Sequence, residues 1–228
     1  MQRGVDVRRN AGAESLERTA SGWRVSADRK RHDADGVVLA VPAPAAGRLL
    51  RPHDDEAASL LDAIDYAAVT IVTFLVAADD VPTPLHGTGF LVPRRSAHAG
   101  RDPWVVTACT FLDRKWPHLV RDGEVMVRAS LGRIDDARPG GFDDAEASAR
   151  AWEELGALLG VRGRPLEAAV VRWPEALPQY RVHHLLRTAG VESAVVRLGA
   201  LAVAGAAYHG VGIPACIASG RAAARSFV

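Results

Sequence analysis

The chain has 228 residues, 48% hydrophobic and 24% charged, with 21 glycines and 13 prolines: a soluble, globular composition long enough for a substantial core and one or two domains. A formal net charge of +1 supplies no global field to recruit nucleic acid, and no apolar run approaches the roughly 20 residues that a membrane span needs. Two cysteines, Cys109 and Cys216, stand far apart without metal-ligand spacing, so free thiols in a reducing, cytoplasmic setting are expected, and no metal site.

The segment Gly4–Arg8 reads as a strand with Val5 and Val7 on one face. Leu16–Thr19 and Trp23–Ala27 alternate around a turn at Ala20–Gly22, which predicts a hairpin, and a further turn at Asp28–Lys30 leads to His32–Ala34. The basic run Arg29-Lys30-Arg31-His32 fits a solvated hairpin turn better than a phosphate contact. Val37–Val41 is an apolar strand closed by Pro42 and Pro44. Helices are expected over Ala45–Leu50 and Asp54–Ile64, the second favoured at its start by Asp54 and Asp55.

Four strands follow, at Tyr66–Val76, Gly87–Val92, Trp104–Phe111 and Glu124–Ser130, and together they predict a mixed or antiparallel sheet with helices on one face. Asp143 with Glu146 forms a capping-box pattern at the head of the strongest helix, which ends at Gly160. Ala168–Trp173 reads as a strand and Pro174–Tyr180 as an irregular turn. The adjacent His183 and His184 lack the cysteine or carboxylate neighbours of a metal site and read as polar surface or substrate-domain contacts.

The chain is organised around its last stretch. Leu201–Ala204 is a buried-type strand; Gly205, Gly210 and Gly212 let the backbone bend and a flat ligand approach; Pro214 opens a helix bearing Ile213, Ile217 and Ala224 on one side. Such a helix start carries partial positive charge and free N–H groups, suited to an anion or an electron-rich ring edge. Gly210-Val-Gly212-Ile-Pro-Ala215 also fits a loose G-x-G-x-x-A pattern, but no second strand or ribose-binding acid follows it. Without further context, an ordinary strand–helix corner packed tightly through glycines is the favoured reading of the stretch.

The words Leu-Ala-Val-Ala-Gly205-Ala-Ala-Tyr-His-Gly210-Val-Gly-Ile-Pro and Cys216-Ile-Ala-Ser-Gly220-Arg resemble the C-terminal flavin-binding segment of the protoporphyrinogen/coproporphyrinogen oxidases, within the flavin amine-oxidase superfamily. Gly89-Phe-Leu-Val-Pro93, Lys115-Trp-Pro-His118 and Arg172-Trp with Pro178-Gln-Tyr180 extend the likeness. It implies an α/β (α+β) fold: a partial FAD-binding domain with a β-meander at 1–52, a substrate-binding domain at 53–185, and a C-terminal FAD-binding strand and helix at 186–228.

The resemblance further implies FAD contacts at Ala13, Gly205, Ala206, Val211, Gly212, Ile213 and Trp173, with Ala13 standing where the family usually has Val and touching the adenine end through its backbone. Tyr180 is either a packed aromatic anchor or a substrate-binding wall of the flavin cavity. The family commonly has Gly-His where His183-His184 stands, so His183 marks a departure in backbone or cofactor fit. The implied reaction passes hydride equivalents from a porphyrinogen, coproporphyrinogen III or protoporphyrinogen IX, to the flavin, with dioxygen as final acceptor, in haem synthesis. The substrate is a small tetrapyrrole, and no catalytic base can be named.

Absent from the chain is the strand–G-x-G-x-x-G–helix that cradles the FAD pyrophosphate. Three readings therefore stand together: the C-terminal part of a porphyrinogen oxidase, whose missing half a partner or self-association supplies; a remnant or binding module without redox chemistry; and another flavin amine oxidase or carotenoid-desaturase relative. Weak or no FAD binding by the chain alone is expected, together with an apolar surface beside Val37–Val41 and Leu201–Ala204. Peripheral contact with a membrane stays open.

Overall fold

The computed structural model describes residues 4–82, 85–94 and 103–227. In chain order the elements are β1 (Ala13–Arg18), β2 (Trp23–Ala27), β3 (Lys30–Ala34), β4 (Val37–Leu39), α1 (Ala43–Leu50), α2 (Asp55–Asp62), β5 (Tyr66–Ala77), β6 (Gly89–Leu91), β7 (Val106–Phe111), α3 (Leu112–Lys115), β8 (Glu124–Leu131), α4 (Arg138–Gly141), α5 (Asp144–Leu159), β9 (Glu167–Pro178), α6 (His184–Leu198), β10 (Leu201–Val203) and α7 (Ile213–Arg225). They form two compact units, Met1–Asp65 with Pro178–Val228, and Tyr66–Leu177. The mixed α/β class expected from the sequence is what the chain adopts.

In the first unit, β1, β2 and β3 make an antiparallel meander. Its first turn is closed by the Thr19 N–H on Gly22 O and the Gly22 N–H on Thr19 Oγ1, both 3.0 Å. Its second turn has Asp28 and Arg29 both at positive φ, 49° and 58°, the twist that a two-residue hairpin requires. Trp23, fully buried, anchors the meander: its indole N–H donates to Gly199 O at 3.0 Å, and its ring meets His53 edge-on at 5.0 Å.

The buried strand β10 lies parallel to β4, with Leu201, Ala202 and Val203 opposite Val37, Val38 and Leu39. Asp54 caps α2 by accepting the Ala57 N–H at 2.8 Å. Because α2 packs on both α1 and α6, residues 53–65 join the first unit, and the divisions fall at 65/66 and 177/178 where the resemblance implied 52/53 and 185/186.

The second unit is a five-stranded sheet in the order β6-β7-β8-β5-β9. Strict alternation on β5 and β8 sends Val72, Phe74, Val76, Val125, Val127 and Ala129 into one core with Ala147, Ala151 and Leu155 of α5. Asp143 accepts the Glu146 N–H at 2.8 Å, and Gly160 ends the helix at φ 73°. Both signals were legible in the sequence.

Three expectations change. Gly4–Arg8 forms no strand, and Val5 and Val7 are exposed. Strand β9 runs through Pro174 to Pro178 where a turn was expected; it lies at the sheet edge, the place in a sheet that accommodates proline. Helix α6 was not anticipated: Leu185 and Leu186 are exposed while Val191, Ala194 and Val195 are buried, so its apolar residues form no single stripe.

Candidate functional site: a glycine turn pinned by two aromatic rings

Parallel pairing hands β10 directly into the glycine-rich turn, with the Ala204 N–H bonded to Leu39 O at 3.1 Å. Gly205 sits at φ 123°, and a Cβ built there would meet nothing within 4 Å, so the strand end is both strained for a side chain and open to an incoming group. Its N–H is held by Ser219 Oγ of α7 at 3.1 Å. Gly210, at φ 144°, admits no side chain at all, because an added Cβ would come within 2.7 Å of Ala215 Cβ.

Two side chains, one just before α6 and one at its first residue, pin this turn. The Tyr180 hydroxyl donates to Ala206 O at 2.6 Å and accepts the Gly210 N–H at 2.8 Å. His184 Nε2 lies 3.2 Å from Tyr208 O, a carbonyl that can only accept, so Nε2 carries the proton in the neutral ring. That leaves Nδ1 of this 4%-exposed residue without a partner among the described residues. Burial raises the Tyr180 phenol above its ordinary range, with the Gly210 N–H opposing the shift. A cavity of about 450 Å³ opens beside the pair, bounded also by Arg181, His183, Leu185 and Leu186. At the far end of the turn His209 Nε2 meets Glu192 Oε1 at 2.5 Å.

Helix α7 begins at the end of the turn. Gly212 is its N-cap, no side chain caps it, and Pro214 occupies the second helical position. The N–H groups of Ile213 and Ala215 therefore have neither an intrahelical nor a side-chain partner among the described residues. Val211 and Ile213 flank this end and are exposed, Ile213 to 77%. The face of α7 bearing Ile213 and Ile217 thus points outward, and Ala223 is the helix residue that is buried.

The structure gathers Gly205, Ala206, Val211, Gly212, Ile213 and Tyr180 around one turn. The other two expected residues belong to other elements. Ala13 opens β1, in the meander rather than in the β4–β10 sheet, and is exposed. Trp173 lies on β9 in the second unit, 57% exposed.

The histidine pair also reads differently in three dimensions. His184 is a buried structural contact of the turn rather than polar surface. His183 has φ 66°, a left-handed conformation that a glycine would adopt with less strain. Among the described residues no group of three His, Cys, Asp or Glu side chains could hold a metal. Sequence reasoning gave no role to Ser219, which the turn needs as an acceptor; it lies fourteen residues beyond Gly205, within the Cys216–Arg221 word that carries the resemblance.

The profile of the family described as flavin containing amine oxidoreductase matches residues 1–226. Coproporphyrinogen III oxidase of Bacillus subtilis is 32% identical over 192 residues, covering 84% of this chain and 39% of that protein. Protoporphyrinogen oxidase of Macaca fascicularis is 31% identical over 236 residues, covering 98% of this chain and 47% of that protein. A crystal structure from an Exiguobacterium species, provisionally described as a protoporphyrinogen oxidase, is 28% identical with a TM-score of 0.80, over 95% of this chain and 46% of its own. The chain thus spans less than half the length of these relatives.

Proposed function

The chain belongs to the flavin-containing amine oxidoreductase family, and on that premise we propose that it contributes to the flavin-dependent oxidation of a porphyrinogen, coproporphyrinogen III or protoporphyrinogen IX, to the porphyrin. FAD is the proposed flavin, dioxygen the acceptor, and cytoplasmic haem synthesis the setting; among the described residues no helix is long and apolar enough to cross a membrane. The observation that carries this reading is the turn itself: an open, positive-φ Gly205 facing space, followed by the uncapped start of a thirteen-residue helix.

These residues fit a flavin. An added Cβ at Gly205 would enter free space rather than protein, which suits the close approach of a flat ring. The unpartnered N–H groups of Ile213 and Ala215 suit its electron-rich edge, and the exposed Val211 and Ile213 offer apolar contact beside it. When bound, the flavin would supply the acceptor for the hydride equivalent. Gly205, Ala206 and the backbone of Val211–Ile213 would hold it, and the α7 N-terminus would favour negative charge gathering on its ring. Tyr180 and His184 keep the turn in the geometry that presents those groups. Tyr180 thereby acts through the backbone, since its hydroxyl is already engaged twice.

A second component is proposed to complete the cofactor site, either a complementary segment or another copy of the chain. The support is the two-stranded parallel sheet β4–β10, in which Val38 is 38% exposed, whereas parallel sheets are ordinarily covered on both faces. The test is to add FAD and anaerobically prepared coproporphyrinogen III to the chain, admit oxygen, and follow porphyrin fluorescence. Flavin-dependent porphyrin formation above the protein-free rate supports the reading. A rate equal to that control, at every FAD and chain concentration tried, opposes it.

A further inference from the structure

In the second unit the sheet has a face turned away from α5, and its chemistry is specific. The core side of β5 and β8, apolar but for the buried Thr70, is packed on α5. The opposite, half-buried side carries Ile71, Thr73, Met126 and Arg128 in alternation with that core. Register sets Arg128 directly between Thr73 on β5 and Thr110 on β7, near the middle of the sheet.

Arg128 makes no ion pair or side-chain hydrogen bond with the described residues, unlike Arg94, Arg138 and Arg172 of the same unit, which pair with Asp135, Asp136 and Asp144. The nearest carboxylate on its own strand face, Glu124, already accepts the Arg121 N–H at 3.0 Å. A guanidinium amid apolar and hydroxyl neighbours, with no anion of its own, is a receptor for one.

Resting on the porphyrinogen reading above, we propose that Arg128 determines specificity by binding a carboxylate of the tetrapyrrole, with the Thr73 and Thr110 hydroxyls beside it. The substrate is a largely apolar macrocycle whose charge resides in its propionate groups. The apolar part of the sheet face takes the ring, and Arg128 fixes its orientation through a forked, charge-assisted contact that lysine reproduces only in charge.

The test uses the stable product coproporphyrin III as probe, titrated by fluorescence anisotropy against the whole chain and its Arg128→Gln and Arg128→Lys variants. Arg128→Gln is expected to weaken binding about tenfold and to flatten its salt dependence, as for loss of one charge-assisted contact. Arg128→Lys should recover a good part of the loss. A tetracationic porphyrin of the same ring size serves as control, and Arg128→Gln should bind it no more weakly than the unaltered chain does. Equal coproporphyrin affinity in the unaltered chain and in Arg128→Gln overturns the role of Arg128 while leaving the porphyrinogen reading in place. Equal weakening toward both porphyrins overturns it as well, by revealing a structural effect. No coproporphyrin binding by the unaltered chain overturns both.

Discussion

The imidazole of His184 lies flat against the phenol of Tyr180, with ring centroids 3.9 Å apart and planes inclined by 13°. The pair is stacked on itself and bonded outward, so three backbone atoms of the 206–210 turn are held by two side chains from one segment. Tyr180→Phe keeps the stack and removes both hydroxyl contacts. At about 0.5–1.5 kcal/mol for each net hydrogen bond, a loss of about 1–3 kcal/mol is expected. Thermal unfolding should reveal it as a fall of a few degrees, and amide exchange should accelerate at Gly210.

The same phenol gives a pH dependence. Its folded pKa is raised, chiefly by burial. Its contribution to stability is therefore complete below the ordinary tyrosine range and is lost as pH rises through the higher folded value. Unfolding titrations between neutral and strongly alkaline pH should show a decline that is shallower in Tyr180→Phe.

His183 occupies a left-handed conformation at φ 66°, ψ 16° at the head of α6. A Cβ costs about 1–2 kcal/mol there, partly offset because glycine loses more backbone freedom on folding. His183→Gly is expected to raise stability by about 0.5–1 kcal/mol, and His183→Val to lower it by more than that. Urea unfolding of the two variants checks the sign of each.

The two cysteines should separate cleanly. Cys109 is buried in the second-unit core, and burial pushes its thiol up to about 12. Cys216 is partly exposed, its Sγ 3.7 Å from Gly210 O. Native protein at pH 8 is expected to react rapidly with one equivalent of a thiol reagent, at Cys216, and with the second only after unfolding. The raised Cys109 value also adds stability that is complete below pH 9 and is lost as pH rises toward 12.

What could be read in advance was whatever a local rule dictates. Asp143 and Gly160 bracket α5 because capping is decided within one turn of helix; Gly205 and Gly210 mark the turn because few other residues tolerate those backbones, and Pro214 marks the helix start because no N–H is needed there. The strands β5 and β8 were legible as β-branched, apolar runs, while the face each buries is seen only in the structure. What could not be read depends on partners distant in sequence. Ser219 meets Gly205, His184 meets Tyr208, and Trp23 meets Gly199 across 176 residues. Arg128 looked like any polar strand residue until register placed two threonines beside it and no carboxylate.

The α7 N-terminus as a flavin contact is tested most directly by Ile213→Asp. This exposed residue is in the first turn, where an acidic side chain suits the helix dipole and should preserve or slightly raise stability. It also sets a negative charge where the electron-rich edge of the flavin is proposed to lie. The measurement is FAD absorbance titrated against the unaltered chain and against Ile213→Asp, with thermal unfolding recorded for both. The expected result is weak, saturable binding by the unaltered chain that disappears in a variant melting at the same or a higher temperature. Undiminished binding in that variant would contradict the proposed site.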